Sequence, residues 1–155
     1  EYHVEKIDLA ETIASVVQMV HPLAASKDIS LVEEECPPGI CAQGDLAKTE
    51  QILINLLSNA VAFTEKDGQI SVGCGFAEGG VWIRVRDTGV GIPPDKQETI
   101  FEPFVQVGRS LTTAHRGTGL GLSISRDLAR GMGGDVTVES KLGQGSSFTL
   151  WLPKL

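Results

Sequence analysis

The sequence predicts an α+β fold, a two-layer sandwich in which about three helices cover one face of a mixed, mostly antiparallel sheet. Apolar residues recur at helical spacing in three segments, and in the segments between them they alternate with polar or small residues. Helices and strands that each have one apolar side bury those sides by packing in two layers. The chain of 155 residues is long enough for one such domain, spanning 1–155.

Three helices are predicted from the apolar periodicity. They cover residues 10–26, 46–63 and 120–132, and Asp45 is placed to cap the second one. A shorter helix is expected at 94–100, where a proline can open it. The helices are therefore spread along the whole chain.

Five strands are predicted from alternating patterns. They cover residues 29–33, 70–76, 81–85, 136–138 and 148–152. Glycine-containing connections follow the second and the fourth of these strands, which predicts two antiparallel hairpins.

Composition narrows the classes of function. The formal net charge of −7 argues against nucleic acid as a partner, because phosphate backbones attract basic patches. No apolar run approaches the roughly 20 residues that span a bilayer, so we expect a cytoplasmic domain without direct membrane contact. The chain starts at Glu1 and resembles an excised piece, whose parent protein could still be membrane-anchored.

Cys36, Cys41 and Cys74 lack metal-ligand spacing and are expected to be reduced thiols.

Two asparagines lie on one face of the second predicted helix. Asn55 and Asn59 are four residues apart, among aliphatic neighbours. Buried amides need polar partners, and an amide oxygen suits a hard cation such as Mg²⁺. The pair therefore indicates a polar ligand site, with an exposed polar stripe as the alternative.

A carboxylate follows the third predicted strand. Asp87 precedes Gly89 and Gly91, so a planar ligand could lie close to the backbone while Asp87 accepts a hydrogen bond from its amino group. A plain aspartate-containing turn is the alternative.

Alternating glycines run into the third predicted helix. Gly117, Gly119 and Gly121 lie where backbone N–H groups and the helix N-terminus can bind an anion. A glycine turn used for steric reasons alone is the alternative. The irregular stretch of about 20 residues before Gly117 is long for a passive connection and predicts a functional lid.

Together these segments resemble the nucleotide-binding boxes of the GHKL (Bergerat-type) ATPase superfamily, and more narrowly the catalytic ATP-binding domain of two-component sensor histidine kinases. The N box matches residues 55–60 and 63–64, the two glycine boxes match 87–91 and 117–122, the F box matches 101–104, and the terminal strand motif matches 143–148. The resemblance covers essentially the whole chain in the family order. The F box separates this branch from the chaperone, mismatch-repair and topoisomerase branches.

The resemblance implies a site for ATP and Mg²⁺. Asp87 would accept from the adenine amine, Gly89 and Gly91 would make room for the base, Asn59 would bind Mg²⁺, and Asn55 would support the phosphate side. Asn55 and Asn59 are therefore the implied catalytic residues. The other residues of the implied nucleotide site are Phe63, Ile92, Phe104, Arg116, Gly117, Thr118, Gly119, Leu120 and Gly121.

The resemblance also implies a reaction and partners. Such a domain donates the γ-phosphoryl group of ATP to a histidine on a separate helical dimerisation domain, and a response regulator receiver follows downstream. Residues 1–9 would connect to that helical domain, residues 101–116 would form the ATP lid, and the isolated domain would be a monomer. His3 and His21 lack the context of a phosphoacceptor.

The chain departs from the family pattern at three positions. Gly108 stands where relatives often carry an acidic residue. Ala62 and Ala114 stand where relatives often carry a basic residue, and Arg109, His115 or Arg116 would have to compensate. Two other functions therefore stay open. One is a degenerate nucleotide-binding or docking module, and the other is a stand-alone GHKL serine kinase or anti-sigma factor.

Overall fold

The structure is a computed structural model, and it describes residues 1–103 and 121–155. In those ranges three α-helices form: α1 Leu9–Ser26, α2 Leu46–Phe63 and α3 Gly121–Gly131. The Asp45 carboxylate caps α2 by accepting a hydrogen bond from the Lys48 N–H at 3.1 Å. The three predicted helices and the predicted cap are confirmed.

Seven strands are described. They are β1 Glu5–Asp8, β2 Ser30–Glu33, β3 Cys41–Gly44, β4 Gln69–Ala77, β5 Gly80–Asp87, β6 Asp135–Lys141 and β7 Gly145–Pro153. Five of them form one sheet in the order β2-β4-β5-β7-β6, in which β2 pairs with β4 in parallel and the other pairs are antiparallel. The predicted α+β class, the mostly antiparallel sheet and both hairpins are confirmed.

One face of this sheet carries the core. Val72, Ile83 and Leu150 are fully buried, whereas Trp82 and Arg84 on the opposite face are partly exposed. The three helices supply the matching apolar sides, for example through residues of α1 and α2 that have no exposed surface. Burial of these side chains supplies most of the favourable free energy of folding.

The structure adds a small second sheet that the sequence analysis missed. Strands β1 and β3 pair antiparallel, with Ile7 opposite Ala42. Each strand has four residues, and these two side chains are buried while most of their neighbours are not. A single buried residue gives no alternating pattern, so nothing in the sequence distinguished β1 from a connection.

The short helix before the F box differs from the prediction. The short helix expected at 94–100 consists of two 3₁₀ turns, Pro94–Lys96 and Thr99–Phe101. No helix in the described part of the chain is long and apolar enough to cross a bilayer.

Candidate nucleotide-binding site

Asp87 is a buried carboxylate at the end of β5. Asp87 is only 4% exposed to solvent. Its Oδ1 accepts hydrogen bonds from the Gly89 N–H at 2.8 Å and the Ser146 N–H at 3.3 Å. Burial raises the pKa of this carboxyl, although the two N–H donors oppose the shift. Within residues 1–103 and 121–155, Asp87 has no ion pair and its Oδ2 accepts no hydrogen bond.

The glycines after Asp87 pack against the protein's own backbone. A Cβ atom at Gly89 would lie 2.3 Å from the Phe63 carbonyl oxygen, and one at Gly91 would lie 2.3 Å from the Lys141 carbonyl oxygen. Gly91 also has a positive φ of 76°. Close packing against the backbone therefore explains the absence of a side chain at both positions without any ligand. The predicted role of these glycines in making room for the base stays a prediction.

The turn between β6 and β7 holds this corner together. Ser140 Oγ accepts from the Ile92 N–H at 2.7 Å and lies 3.0 Å from the Gly145 carbonyl oxygen. The Gln97 amide nitrogen donates to the carbonyl oxygens of Ile92 and Ser140, and the Gly143 N–H donates to the Val90 carbonyl oxygen. The backbone segment that follows Asp87 is thus held in place by the turn between β6 and β7.

Asn55 connects α2 to the start of α3. Its amide nitrogen donates to Ser125 Oγ at 3.2 Å and lies 3.5 Å from the Gly121 carbonyl oxygen. Because the nitrogen is used in this way, the side-chain oxygen is left as the acceptor of this amide. Asn55 therefore positions the beginning of α3 next to its own side chain.

Asn59 lies one helical turn further along α2 and is half-buried. Its side chain makes no hydrogen bond to the described residues, so its amide oxygen is available as a ligand. Those residues contain no group of three His, Cys, Asp or Glu side chains that could hold a metal by itself. The Asn59 amide oxygen is of the kind that a hard cation such as Mg²⁺ accepts, with substrate phosphates and water completing the shell.

The start of the predicted lid is anchored by an aromatic residue. The Phe101 ring packs edge-on against Phe148 with centroids 6.4 Å apart, and the Arg126 guanidinium lies 4.1 Å above Phe101. Phe101 is buried, so this end of the F box belongs to the core. The lid itself stays a prediction.

Comparison with known proteins places this geometry in a family. Residues 44–155 match the family of histidine kinase-, DNA gyrase B-, and HSP90-like ATPases. The chain belongs to this family. The match begins just before α2 and includes both Asn55 and Asp87, so it contains the elements that carry the candidate site.

Individual relatives indicate which members of this family the chain is similar to. The circadian input-output histidine kinase CikA of Synechococcus elongatus is 42% identical over 112 residues, which are 72% of this chain and 15% of that protein. The full-length ShkA structure in complex with AMPPNP superposes with a TM-score of 0.87 at 35% identity, covering 99% of this chain and 32% of that one. The catalytic domain of histidine kinase ThkA gives a TM-score of 0.85 at 28% identity and covers 98% of both chains.

These relatives confirm the resemblance drawn from the sequence to the catalytic ATP-binding domain of sensor histidine kinases. The superposition on the ThkA catalytic domain covers 98% of this chain and 98% of that one. It spans only 6–32% of the length of curated relatives such as these histidine kinases.

The structure places several of the predicted site residues close to one another. Asn55, Asn59 and Phe63 follow one another on α2, and the Val90 N–H donates to the Phe63 carbonyl oxygen at 3.3 Å. That bond joins the N box to the first glycine box. The predicted site residues outside the described ranges are Phe104, Arg116, Gly117, Thr118, Gly119 and Leu120.

Sequence reasoning missed several polar residues of this corner. Ser146 donates its N–H to Asp87, Ser140 connects two turns, and Ser125 accepts from Asn55. Ser146 lies inside the terminal motif at 143–148, which was the one available signal. Thr64 Oγ1 is buried without a hydrogen-bond partner among the described residues, and such an atom normally takes a water or a ligand.

Proposed function

We propose that this domain binds ATP together with Mg²⁺ and donates the γ-phosphoryl group to a histidine on a separate helical dimerisation domain of its parent protein. The observation that carries the proposal is the buried Asp87 carboxylate, whose Oδ2 has no partner among the described residues. A buried acceptor without a cation is costly unless a ligand donates to it. The ShkA relative in complex with AMPPNP supports an adenine nucleotide as that ligand.

The proposed roles follow from the donors and acceptors in place. Asp87 Oδ2 accepts from the exocyclic amine of adenine, which selects ATP against GTP because guanine has a carbonyl oxygen at that position. The Gly89 and Ser146 N–H groups hold Oδ1, so the carboxylate keeps its orientation. Asn59 offers an oxygen to Mg²⁺, and the cation, when bound, neutralises phosphate charge.

Asn55 acts on the phosphate side by holding the start of α3. The residues just before that helix are the second glycine box, whose backbone N–H groups are proposed to contact the phosphates. The acid–base groups for transfer are expected on the helical domain, so this domain contributes positioning and charge stabilisation. A response regulator receiver as the next acceptor, a cytoplasmic location and a monomeric isolated domain complete the proposal.

Calorimetric titration with a non-hydrolysable ATP analogue, with and without Mg²⁺, tests the nucleotide site. Tighter binding with the metal is expected in the unmodified chain and in Ser58→Ala, a matched control in the same helix. The Asn59→Ala chain should lose the metal-dependent part of binding, and equal losses with and without Mg²⁺ would contradict metal ligation.

Transfer is tested by adding the parent's helical domain and ATP, then assaying acid-labile phosphohistidine. Nucleotide binding without phosphohistidine would refute the kinase proposal.

A docking module is the second candidate, and Ala62 is the observation that favours it. A cation is absent from this position of α2, although the Lys27 amine lies 2.9 Å from the Val61 carbonyl oxygen and 3.2 Å from that of Ala62. No detectable nucleotide binding in the titration would favour this candidate over the kinase.

A further inference from the structure

Two of the three cysteines are in contact beside the parallel edge of the main sheet. The sulfur atoms of Cys36 and Cys74 are 2.9 Å apart, and all three cysteines are free thiols in the structure. Bonded sulfur atoms in a disulfide are about 2.05 Å apart, so a shift of about 1 Å would bring these two to bonding distance. The pair is therefore assembled by the fold before any bond forms.

The parallel pairing of β2 with β4 creates this contact. Glu33 is in register with Val72, and the Glu34 N–H donates to the Val72 carbonyl oxygen at 2.8 Å. Cys74 lies two residues beyond Val72 on β4, and Cys36 lies three residues beyond Glu33, in the segment that continues past the end of β2. The parallel pairing and the Glu34 hydrogen bond thus hold the segment that carries Cys36 beside β4.

The two sulfurs differ in access. Cys74 is buried on the helix-covered face of β4, whereas Cys36 is only half-buried. Burial raises the pKa of the Cys74 thiol, and the neighbouring Cys36 raises it further. A soluble oxidant therefore reaches the Cys36 sulfur first, and the buried Cys74 thiol is in contact with that sulfur.

The geometry points to a reversible disulfide between Cys36 and Cys74, which makes this pair a redox-sensitive modification site of the domain. With hydrogen peroxide as the oxidant, the Cys36 sulfur takes one oxygen to become a sulfenic acid and one water is released. The Cys74 sulfur then attacks the Cys36 sulfur, and its proton leaves with the departing hydroxide as a second water. The two thiols lose two electrons and two protons in total.

The bond would stabilise the fold with little effect on the nucleotide site. Along β4, Ile70 pairs with Asp87, whereas Cys74 pairs with Ile83 further from that end. Closing the loop between the cysteines restricts the unfolded chain, and we expect the melting temperature to rise by roughly 5–15 °C. Because the readouts are mass and stability, this inference does not depend on the proposed function.

The experiment treats the purified chain with hydrogen peroxide and compares it with the same chain in a thiol reductant. We expect the intact mass to fall by two hydrogen atoms, the melting temperature to rise, and both changes to reverse on reduction. Trypsin under non-reducing conditions should release peptide 28–48 joined to peptide 67–84. Affinity for the ATP analogue should not change.

Cys41 is the matched control, because peptide 28–48 contains it as well as Cys36. The Cys41→Ser chain should still form the linked peptides, whereas Cys36→Ser and Cys74→Ala should not. Cys36→Ser alone is sufficient if the buried Cys74→Ala chain fails to fold. Oxygen addition to Cys36 without a link to Cys74, or a link that persists in Cys36→Ser, would overturn the inference.

Discussion

Two aspartates of the main sheet, on the two strands that flank β7, lie in opposite electrostatic environments. Asp87 at the end of β5 is held by two backbone N–H groups and has no ion pair among the described residues. Asp135 at the start of β6 accepts from the Val136 N–H at 2.8 Å and from Arg126 and Arg130 at 3.1 Å each. The pKa of Asp87 is raised and that of Asp135 is lowered.

The difference separates a structural carboxylate from one kept for a ligand. Burial alone would raise the pKa of Asp135, but the Val136 N–H and the two arginines more than compensate. At Asp87 burial dominates because no described cation offsets it. Carboxylates whose pKa is raised by burial are found often at functional sites, which supports the proposed role of Asp87, and not of Asp135, in nucleotide binding.

The largest effect is expected from Asp87→Asn. An amide can still accept at Oδ1, but it replaces the charged acceptor that faces adenine. A hydrogen bond to a charged group contributes about 1.5–3 kcal/mol, so affinity for the ATP analogue should fall roughly 10–100-fold. Calorimetric titration measures this loss, and a melting curve should show the fold intact.

Asp135→Asn is the matched control for that titration. It changes the same functional group in the same sheet, yet it should leave nucleotide affinity unchanged. Similar losses of affinity in both variants would contradict this distinction between the two aspartates and would mean that Asp87 has only a structural role.

Gly145→Ala tests whether the turn between β6 and β7 supports Asp87. Gly145 has a φ of +105°, and a Cβ there would lie 2.0 Å from the Asp87 carbonyl oxygen. Gly143→Ala is its control, since Gly143 has a φ of +82° but no atom within 4 Å of the added Cβ. We expect Gly145→Ala to reduce the unfolding free energy by about 1–3 kcal/mol more than Gly143→Ala.

Denaturant unfolding of both variants measures that difference, and titration should show weaker nucleotide binding in Gly145→Ala alone. Equal destabilisation by the two alanines would mean that the close approach to Asp87 is relieved without cost.

The sequence predicted the environment of Asp87 but not that of Asp135. Asp87 precedes two glycines at the end of a clear strand pattern, so its position and its possible role as an acceptor could be predicted. Asp135 precedes an ordinary strand, and its arginines lie on α3, so the ion pairs depend on how the helix packs against β6. Tertiary packing of this kind leaves no local pattern.

The same reasoning explains which parts of the fold were missed. Long periodic segments such as α2 were predicted to the residue, because many buried side chains repeat at one spacing. Strands β1 and β3 contribute one or two buried residues each, and the bonds of Ser140 depend on the approach of two distant turns. The contact of Cys36 with Cys74 likewise required the parallel register of β2 and β4.

A smaller effect is expected from Asp135→Asn on stability. The change weakens two ion pairs, but the Asp135 side chain is 35% exposed, so solvent screening limits their contribution. We expect a loss of about 1 kcal/mol, which lowers the melting temperature by roughly 2–4 °C. Arg130→Ala should give part of this loss, and no change in either variant would show that the ion pairs are not net stabilising.

The smallest and most discriminating effect is the pH dependence of the two aspartate-to-asparagine variants without nucleotide. The pKa of Asp87 is raised in the folded state, so its contribution is present below its ordinary value of 3.8 and is lost as pH rises through the folded-state pKa. Relative to wild type, Asp87→Asn should therefore gain stability as pH rises from about 3 to about 7.

Asp135 should behave in the opposite way. Its folded-state pKa lies below the ordinary value of 3.8, so its contribution is present above that value and is lost as pH falls through the folded-state pKa. Relative to wild type, Asp135→Asn should therefore lose stability as pH rises over the same interval. Melting temperatures of the three chains across that interval measure both trends. Parallel trends would mean that the two carboxylates have the same electrostatic environment, and Asp87 would then lose the property that marks it as a ligand acceptor.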